Sequence, residues 1–175
     1  IAPEREGALA AIAAIVQRGA VAAIGHTAAT YEQTLAAIDA GVTGATHLFN
    51  AMPGLKHRAP GPVLALLEDA RVWPELIADG VHVRPELVAW VMHINDRVVL
   101  ITDAMAATGC ADGAYVLGDL PVDVSGGVAH IAGTDTIAGS TLTLDRAVAN
   151  VIAAGVAPEV ALSAATSRPA QYVGL

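Results

Sequence analysis

Three histidines and one aspartate each stand at or close to the end of an apolar run of the sequence: His26, His47, His82 and Asp103. Imidazole and carboxylate groups at such positions can bind a metal ion, transfer a proton, or do both. A polar residue at the end of a strand, where a loop begins, is a common way for α/β enzymes to present a reactive group. Four of them after successive apolar runs predict the rim of an active site.

His26 and His47 lie one strand–helix unit apart, which places them at neighbouring strand ends. Two neutral imidazoles in that arrangement suit a divalent transition metal such as zinc. From the spacing alone, two histidines that cap neighbouring loops are a slightly better explanation. Two imidazoles are too few for a protein metal site, so a metal here requires a further ligand.

Asp103 follows the clearest predicted strand, residues 97–101. A carboxylate there, close to a metal-bound water, could accept a proton and later donate it to a leaving group. It could instead cap the following turn. Asn50, Arg58 and His82 could bind an anion such as phosphate, although an exposed basic loop is an equal explanation for Arg58. Asp79 could cap a turn or orient a ligand, and no role is assigned to it.

Strand and helix patterns alternate through residues 1–103. Pro3 is expected to begin the first helix, Thr30 begins a capping-box pattern, and Pro62 and Pro85 suit the starts of later helices. Short apolar runs between the helices predict parallel strands joined by right-handed crossovers, hence an α/β fold. A doubly wound sheet and a barrel both fit this pattern, and four polar strand ends in succession favour the barrel.

The alternation ends after Asp103. Three short strands separated by Gly and Pro predict an antiparallel insertion, residues 114–138. A helix is expected to resume at residues 138–140, and two more helices follow. The predicted organisation is a partial (β/α)8 TIM-like barrel of about four strand–helix units in residues 1–113, this insertion, and carboxyl-terminal helices in residues 139–175 that pack on the barrel.

The composition excludes several classes of protein. The 175 residues carry a net charge of -8 and no continuous basic stripe, which argues against nucleic acid as a partner. No apolar run reaches the roughly 18 residues of a membrane span, so a cytoplasmic protein without a membrane partner is expected. The single Cys110 provides neither a disulfide framework nor a thiolate metal site.

Several motifs of the chain, taken together, resemble the N-acetylglucosamine-6-phosphate deacetylases of the amidohydrolase superfamily. The most specific is the run His-Leu-Phe-Asn-Ala-Met within residues 46–53. The others are weaker alone but stand in the right order and at compatible spacing. They are Gly-His-Thr at 25–27, Ala-Asp-Gly-Val-His-Val at 78–83, Ile-Thr-Asp-Ala at 101–104 and Ile-Ala-Gly-Ser-Thr-Leu-Thr at 137–143.

The resemblance implies a metal-dependent hydrolase that converts N-acetylglucosamine 6-phosphate into glucosamine 6-phosphate and acetate, a step of amino-sugar recycling. It implies that His26 and His47 bind the metal, with zinc expected and iron or another divalent ion as alternatives. Asp103 would be the general base and acid. Arg58 would reach the phosphate from the partner subunit of a homodimer. The implied substrate-binding residues are Asn50, Ala51, Arg58, His82, Ile137, Ala138 and Gly139.

One departure from the family pattern matters. The family's metal-binding glutamate lies in a His-Leu-Glu-Gly-Pro-Phe-like segment, which these residues do not contain. We therefore expect the chain to correspond to the carboxyl-terminal half of the catalytic barrel and to be inactive alone. Two alternatives stay open: another amidohydrolase that cleaves a different amide, and a catalytically silent fragment or oligomerisation module.

Overall fold

A parallel four-stranded sheet forms the first part of the molecule. The computed structural model describes residues 1–175. The strands β1 (Ala23–Ile24), β2 (Gly44–Ala45), β3 (Trp73–Ile77) and β4 (Val99–Ile101) are all parallel and lie in chain order. Neighbours in the chain are therefore neighbours in the sheet, as single crossover connections require. The predicted α/β alternation is confirmed.

Four helices accompany these strands: α1 (Ala8–Gln17), α2 (Tyr31–Asp39), α3 (Gly61–Glu68) and α4 (Pro85–Ile94). The predicted capping box begins α2. The Gln33 amide donates to the Thr30 hydroxyl over 3.2 Å, and the Thr30 amide donates to the Gln33 side chain over 2.9 Å. Pro62 and Pro85 lie in the first turns of α3 and α4, as predicted.

Pro3 does not begin the first helix, so that prediction was wrong. Helix α1 starts only at Ala8. The preceding Glu4 is used elsewhere, because its carboxylate accepts hydrogen bonds from the Thr27 hydroxyl over 2.5 Å and from the Ala28 amide over 2.8 Å. This acidic residue therefore holds the loop after β1 and does not stabilise a helix terminus.

The predicted antiparallel insertion is present as a second sheet. It contains β5 (Gly113–Leu117), β6 (Leu120–Ser125) and β7 (Val128–Ile131), paired in that order. Its core has six buried residues, whereas the core around the parallel sheet has 26. The antiparallel sheet therefore has far less apolar burial to stabilise it.

The chain does not return to helix at residues 138–140, which corrects another prediction. The Ser140 amide donates to the Asp103 carbonyl over 2.7 Å, and the Met105 amide donates to the Ser140 carbonyl over 2.9 Å. Gly139 has a φ of 65°, and a side chain there would approach the Asp103 carbonyl to 3.1 Å. The segment thus bends at Gly139 and pairs with the loop after β4 through Ser140, and a helix does not start in it.

Helices α5 (Leu144–Ala153), α6 (Pro158–Ala165) and α7 (Ser167–Tyr172) complete the chain. Asn150 of α5 donates to the Ala78 carbonyl over 2.8 Å. The Tyr172 hydroxyl fills the space that a side chain at Gly44 would need, so α7 packs directly against β2. None of the helices combines the length and the apolar character that crossing a bilayer demands.

Candidate active site

The reactive residues share one position relative to their strands. His26 follows the end of β1 by two residues, and His47 and Asp103 do the same after β2 and β4. Asp79 occupies the equivalent position after β3. Because the strands are parallel neighbours, the four positions lie along the carboxyl edge of one sheet.

Three of these four residues have a strained backbone. The φ angle is 48° at His26, 33° at His47 and 50° at Asp103, all in the left-handed region. Only five non-glycine residues of the chain have a positive φ, and the other two, Phe49 and Ala51, lie in the loop after β2. Such strain costs of the order of 1–3 kcal/mol per residue and concentrates at functional sites. The strain is therefore an indication of function that does not depend on resemblance.

A cavity of about 710 Å³ collects nearly all the predicted site residues. One part of its wall is polar and contains His26, His47, Asn50, His82 and Asp103. Ala51 and Gly139 also line it. The apolar part of the wall contains Met105, Leu117, Leu120, Ile131, Ile137 and Ala138. The cavity thus offers both charged and apolar surface to one ligand, as small-molecule sites usually do.

The two imidazoles predicted to bind a metal are in contact. The ring centroids of His26 and His47 are 4.7 Å apart, with an angle of 76° between the planes. His47 is buried, and its Nδ1 atom has no hydrogen-bond partner in the chain. A buried ring nitrogen without a partner is costly, and binding to a metal would satisfy it. The pair fits a transition metal but forms no cluster of three ligand side chains, so a further ligand remains necessary.

Hydrogen bonds hold the strained turn after β2. The Asn50 amide donates to the His47 carbonyl over 3.0 Å, and the Asn50 side chain donates to the same carbonyl over 3.2 Å. The Thr27 amide donates to the Ala51 carbonyl over 3.0 Å and so ties this turn to the loop that carries His26. The Asn50 carboxamide thus supports the backbone of the turn.

His82 is held by Asp79. Its Nδ1 atom lies 2.6 Å from Asp79 Oδ2, and both side chains are largely buried. Burial acts to raise the pKa of Asp79, but hydrogen bonds from the His82 ring and from the amides of His82 and Val81 outweigh it, so that pKa lies below its ordinary value. His82 also lines a second cavity, of about 500 Å³.

Arg58 is the one predicted site residue that lies away from the cavity. It lines a separate surface depression together with Lys56, Tyr31 and Glu32. The set of Asn50, Arg58 and His82, predicted to bind an anion, is therefore not assembled within a single chain.

Glu75 was missed by the sequence reasoning. Burial raises the pKa of its carboxyl group; the backbone of His47 lowers it and repulsion by Asp103 raises it further. Glu75 is thus a largely buried carboxyl group of β3, the strand that pairs with both β2 and β4. A charged residue inside an apolar strand was the signal that could have identified it.

A parallel sheet with imidazole and carboxylate groups at its carboxyl edge is an arrangement that suits a hydrolase acting through a bound metal. The chain belongs to the amidohydrolase family, whose model matches residues 6–175. Enzymes of this family are generally metal-dependent.

The similar proteins are deacetylases of phosphorylated amino sugars, which confirms the predicted relationship. The chain is 47% identical to the N-acetylgalactosamine-6-phosphate deacetylase of Escherichia coli O157:H7, over 100% of this chain and 47% of that protein. It is 46% identical to the N-acetylglucosamine-6-phosphate deacetylase of Vibrio furnissii, over 86% of this chain and 38% of that protein.

A solved structure is similar throughout the chain. A mutant N-acetyl-D-glucosamine-6-phosphate deacetylase of Mycobacterium smegmatis, in complex with N-acetyl-D-glucosamine-6-phosphate, is 53% identical with a TM-score of 0.97. The match covers 100% of this chain and 48% of that chain. The chain thus spans about half the length of the curated relatives it matches.

Proposed function

We propose that residues 1–175 provide metal ligands, the general base and substrate contacts for the deacetylation of N-acetylglucosamine 6-phosphate. The observation that carries the proposal is the geometry of His26, His47 and Asp103. All three follow their strands by two residues, have a left-handed backbone and line one cavity. Curated deacetylase relatives that are 36–47% identical to the chain support the choice of substrate class.

The proposed reaction is hydrolysis of an amide. A divalent ion held by His26, His47 and a further ligand would supply Lewis-acid activation, and zinc is the ion we propose. Asp103 accepts the proton of the attacking water as the new C–O bond forms. It then donates that proton to the nitrogen as the C–N bond breaks, which yields the free amine and acetic acid, and the acid ionises to acetate. His82 holds the substrate or polarises the carbonyl group.

The remaining residues bind the ends of the substrate. Asn50 and the backbone amide of Ala51 contact the phosphate, with Arg58 contributed by the partner subunit of a homodimer. Residues 137–139 line the acetyl pocket. Contacts to the phosphate, which is remote from the reacting amide, help to hold that amide in a reactive orientation.

The larger architecture follows from the same proposal. The parallel sheet would be part of a (β/α)8 barrel, with residues 1–113 contributing about four strand–helix units. Residues 114–138 would be an insertion, and the helices of residues 139–175 would pack on the barrel. A cytoplasmic location also remains a prediction.

The decisive experiment is acetate release by a chimera. Residues 1–175 replace the matching segment of the M. smegmatis deacetylase, and N-acetylglucosamine 6-phosphate is the substrate. We expect turnover and at least one divalent ion per chain, and loss of both when His26 and His47 are replaced by alanine. A folded chimera that binds metal but releases no acetate would contradict the proposal, as would turnover that survives loss of both histidines.

N-acetylgalactosamine 6-phosphate is the second candidate substrate, because the E. coli relative that covers the whole chain is named for it. The same chimera compares the two sugars by kcat/KM. A higher kcat/KM for the galactosamine derivative would replace the first choice of sugar and leave the mechanism unchanged. The unphosphorylated sugar serves as a control for the phosphate contacts.

A further inference from the structure

We propose that Asp79 is a positioning residue that fixes both the orientation and the protonated nitrogen of the His82 ring. The catalytic consequence of this inference rests on the proposed function. The state of the ring itself does not, and can be measured on the chain alone.

The hydrogen bonds of the Asp79 carboxylate all go to Val81 and His82. Oδ2 lies 2.6 Å from Nδ1 of His82. Oδ1 accepts hydrogen bonds from the amides of Val81 over 2.9 Å and of His82 over 2.8 Å. Its side chain is 13% exposed and that of His82 is 7% exposed, so little water competes with these bonds.

Asp79 takes the position after β3 that His26 and His47 take after β1 and β2, and the histidine of this loop, His82, comes three residues later. After β1, β2 and β4 the second residue beyond the strand lines the large cavity itself. After β3 that residue is Asp79, which does not line the large cavity. Its carboxylate instead folds residues 79–82 into a turn that delivers His82 to the cavity wall.

The chemistry of the pair leaves one tautomer of the neutral ring. An ionised carboxylate can only accept hydrogen bonds, so the short contact requires a proton on Nδ1 of His82. Nε2 is then the nitrogen available to a substrate. In the neutral ring, this nitrogen accepts a hydrogen bond.

The two backbone amides make the variant Asp79→Asn unusually informative. They require an oxygen at the position of Oδ1, so the side-chain nitrogen of the introduced asparagine must take the place of Oδ2. That nitrogen is a donor, and it can pair with Nδ1 of His82 only if Nδ1 carries no proton. The proton therefore moves to Nε2, although the shape of the side chain at position 79 is unchanged.

The test is nitrogen NMR of the 175-residue chain with labelled histidine, recorded at alkaline pH where imidazoles are neutral. His82→Gln identifies the signals of His82. We expect the Nδ1–H tautomer in the wild-type chain and the Nε2–H tautomer in Asp79→Asn. An Nε2–H tautomer in the wild-type chain would overturn the proposal, and so would an unchanged tautomer in the variant.

Asp112 offers a matched control. Its carboxylate also accepts two backbone amides, those of Gly126 over 2.5 Å and Gly127 over 3.1 Å, but no histidine ring contacts it. Asp112→Asn should leave the His82 tautomer unchanged. A change of tautomer in this control would show that loss of any aspartate alters His82, which would also overturn the proposal.

Kinetics of the chimera test the consequence for catalysis. Asp79→Asn is expected to lower kcat/KM by about 10- to 100-fold, the usual effect of losing a group that orients a catalytic side chain, and Asp112→Asn should not. If Asp79→Asn changed the His82 tautomer but kept wild-type kinetics, Asp79 would have no role in the reaction. A chimera without any turnover would overturn the proposed function, while the wild-type tautomer would still decide the state of the ring.

Discussion

The two sheets differ in which residues have a left-handed backbone where their strands end. The loops after β1, β2 and β4 of the parallel sheet place His26, His47 and Asp103 at positive φ. In the antiparallel sheet, the turns between strands use glycine at such positions, namely Gly118, Gly126 and Gly127. Glycine adopts this conformation without steric cost, whereas other residues lose about 1–2 kcal/mol.

The difference indicates that a strained non-glycine residue occurs where its side chain is needed in the cavity. A turn that only reverses the chain can use glycine. A loop that places an imidazole or a carboxylate in the cavity wall cannot use glycine at that position, because glycine has no side chain. The parallel sheet can maintain the strained residues because a core of 26 buried residues surrounds it. The antiparallel sheet, with six such residues, contributes apolar cavity wall through Leu117, Leu120 and Ile131.

The first prediction tests whether a strained residue at the end of a parallel strand is needed for the reaction. Asp103→Asn is the sharpest variant, because asparagine tolerates a left-handed backbone as well as aspartate does. Loss of the proton acceptor should lower acetate release by the chimera about 10²- to 10⁴-fold, with little change in unfolding temperature. Turnover close to that of the unaltered chimera would contradict the role of Asp103.

The exposed Asp39 provides the control for this variant, since its carboxylate pairs only with Arg71 at the surface. Asp39→Asn removes the same charge at a distance from the cavity. It should leave acetate release within about twofold, because surface ion pairs contribute little.

The second prediction concerns the core that supports the strained loops. Leu76 in β3 is completely buried, and its truncation to alanine should lower the free energy of unfolding by about 2–5 kcal/mol. Leu117 lies at the end of β5 and is 40% exposed. Leu117→Ala should cost less than about 0.5 kcal/mol, as surface substitutions usually do. Urea unfolding of both variants measures the contrast, and equal losses would refute it.

Much of the fold could be predicted because the signals are local. The capping box at Thr30 and the prolines at 62 and 85 determine helix starts within a few residues of sequence. The helix expected at residues 138–140 failed because that segment pairs with Asp103 and Met105, more than 30 residues away. The start expected at Pro3 failed for a similar reason, since Glu4 bonds to the loop after β1.

The sequence predicted most of the residues that line the large cavity, but not the interactions that hold them in place. The pattern of a polar residue after an apolar run predicts His26, His47 and Asp103 as candidates, and all three line the cavity. The strain of their backbones is a property of the whole fold and leaves no local pattern. Asp79 and His82 are close in sequence, yet only the structure shows that both side chains are largely buried and that two backbone amides donate to the carboxylate.

The third prediction is a pH dependence of stability that comes from the loop after β3. The pKa of Asp79 is lower in the folded chain than in the unfolded chain. Its stabilisation is therefore complete above the unfolded pKa of about 3.9 and is lost as the pH falls through the folded value. Urea unfolding should show a steeper acid decline for the wild-type chain than for Asp79→Asn. Leu117→Ala alters no charge and should show the same dependence of unfolding free energy on pH as the wild-type chain. The same dependence in Asp79→Asn would contradict the assignment of the acid decline to Asp79.

The smallest expected effects compare strain in the two regions directly. Ala51 has a φ of 51° and Gly118 a φ of 60°, and a side chain at Gly118 would meet open space. Ala51→Gly should raise the free energy of unfolding by up to about 1 kcal/mol, because relief of strain exceeds the entropy that glycine adds to the unfolded chain. Gly118→Ala should lower it by about 1 kcal/mol. If both substitutions changed the free energy of unfolding in the same direction, a left-handed backbone would not carry the same energetic cost in the two regions. Strain at the strand ends would then no longer indicate function.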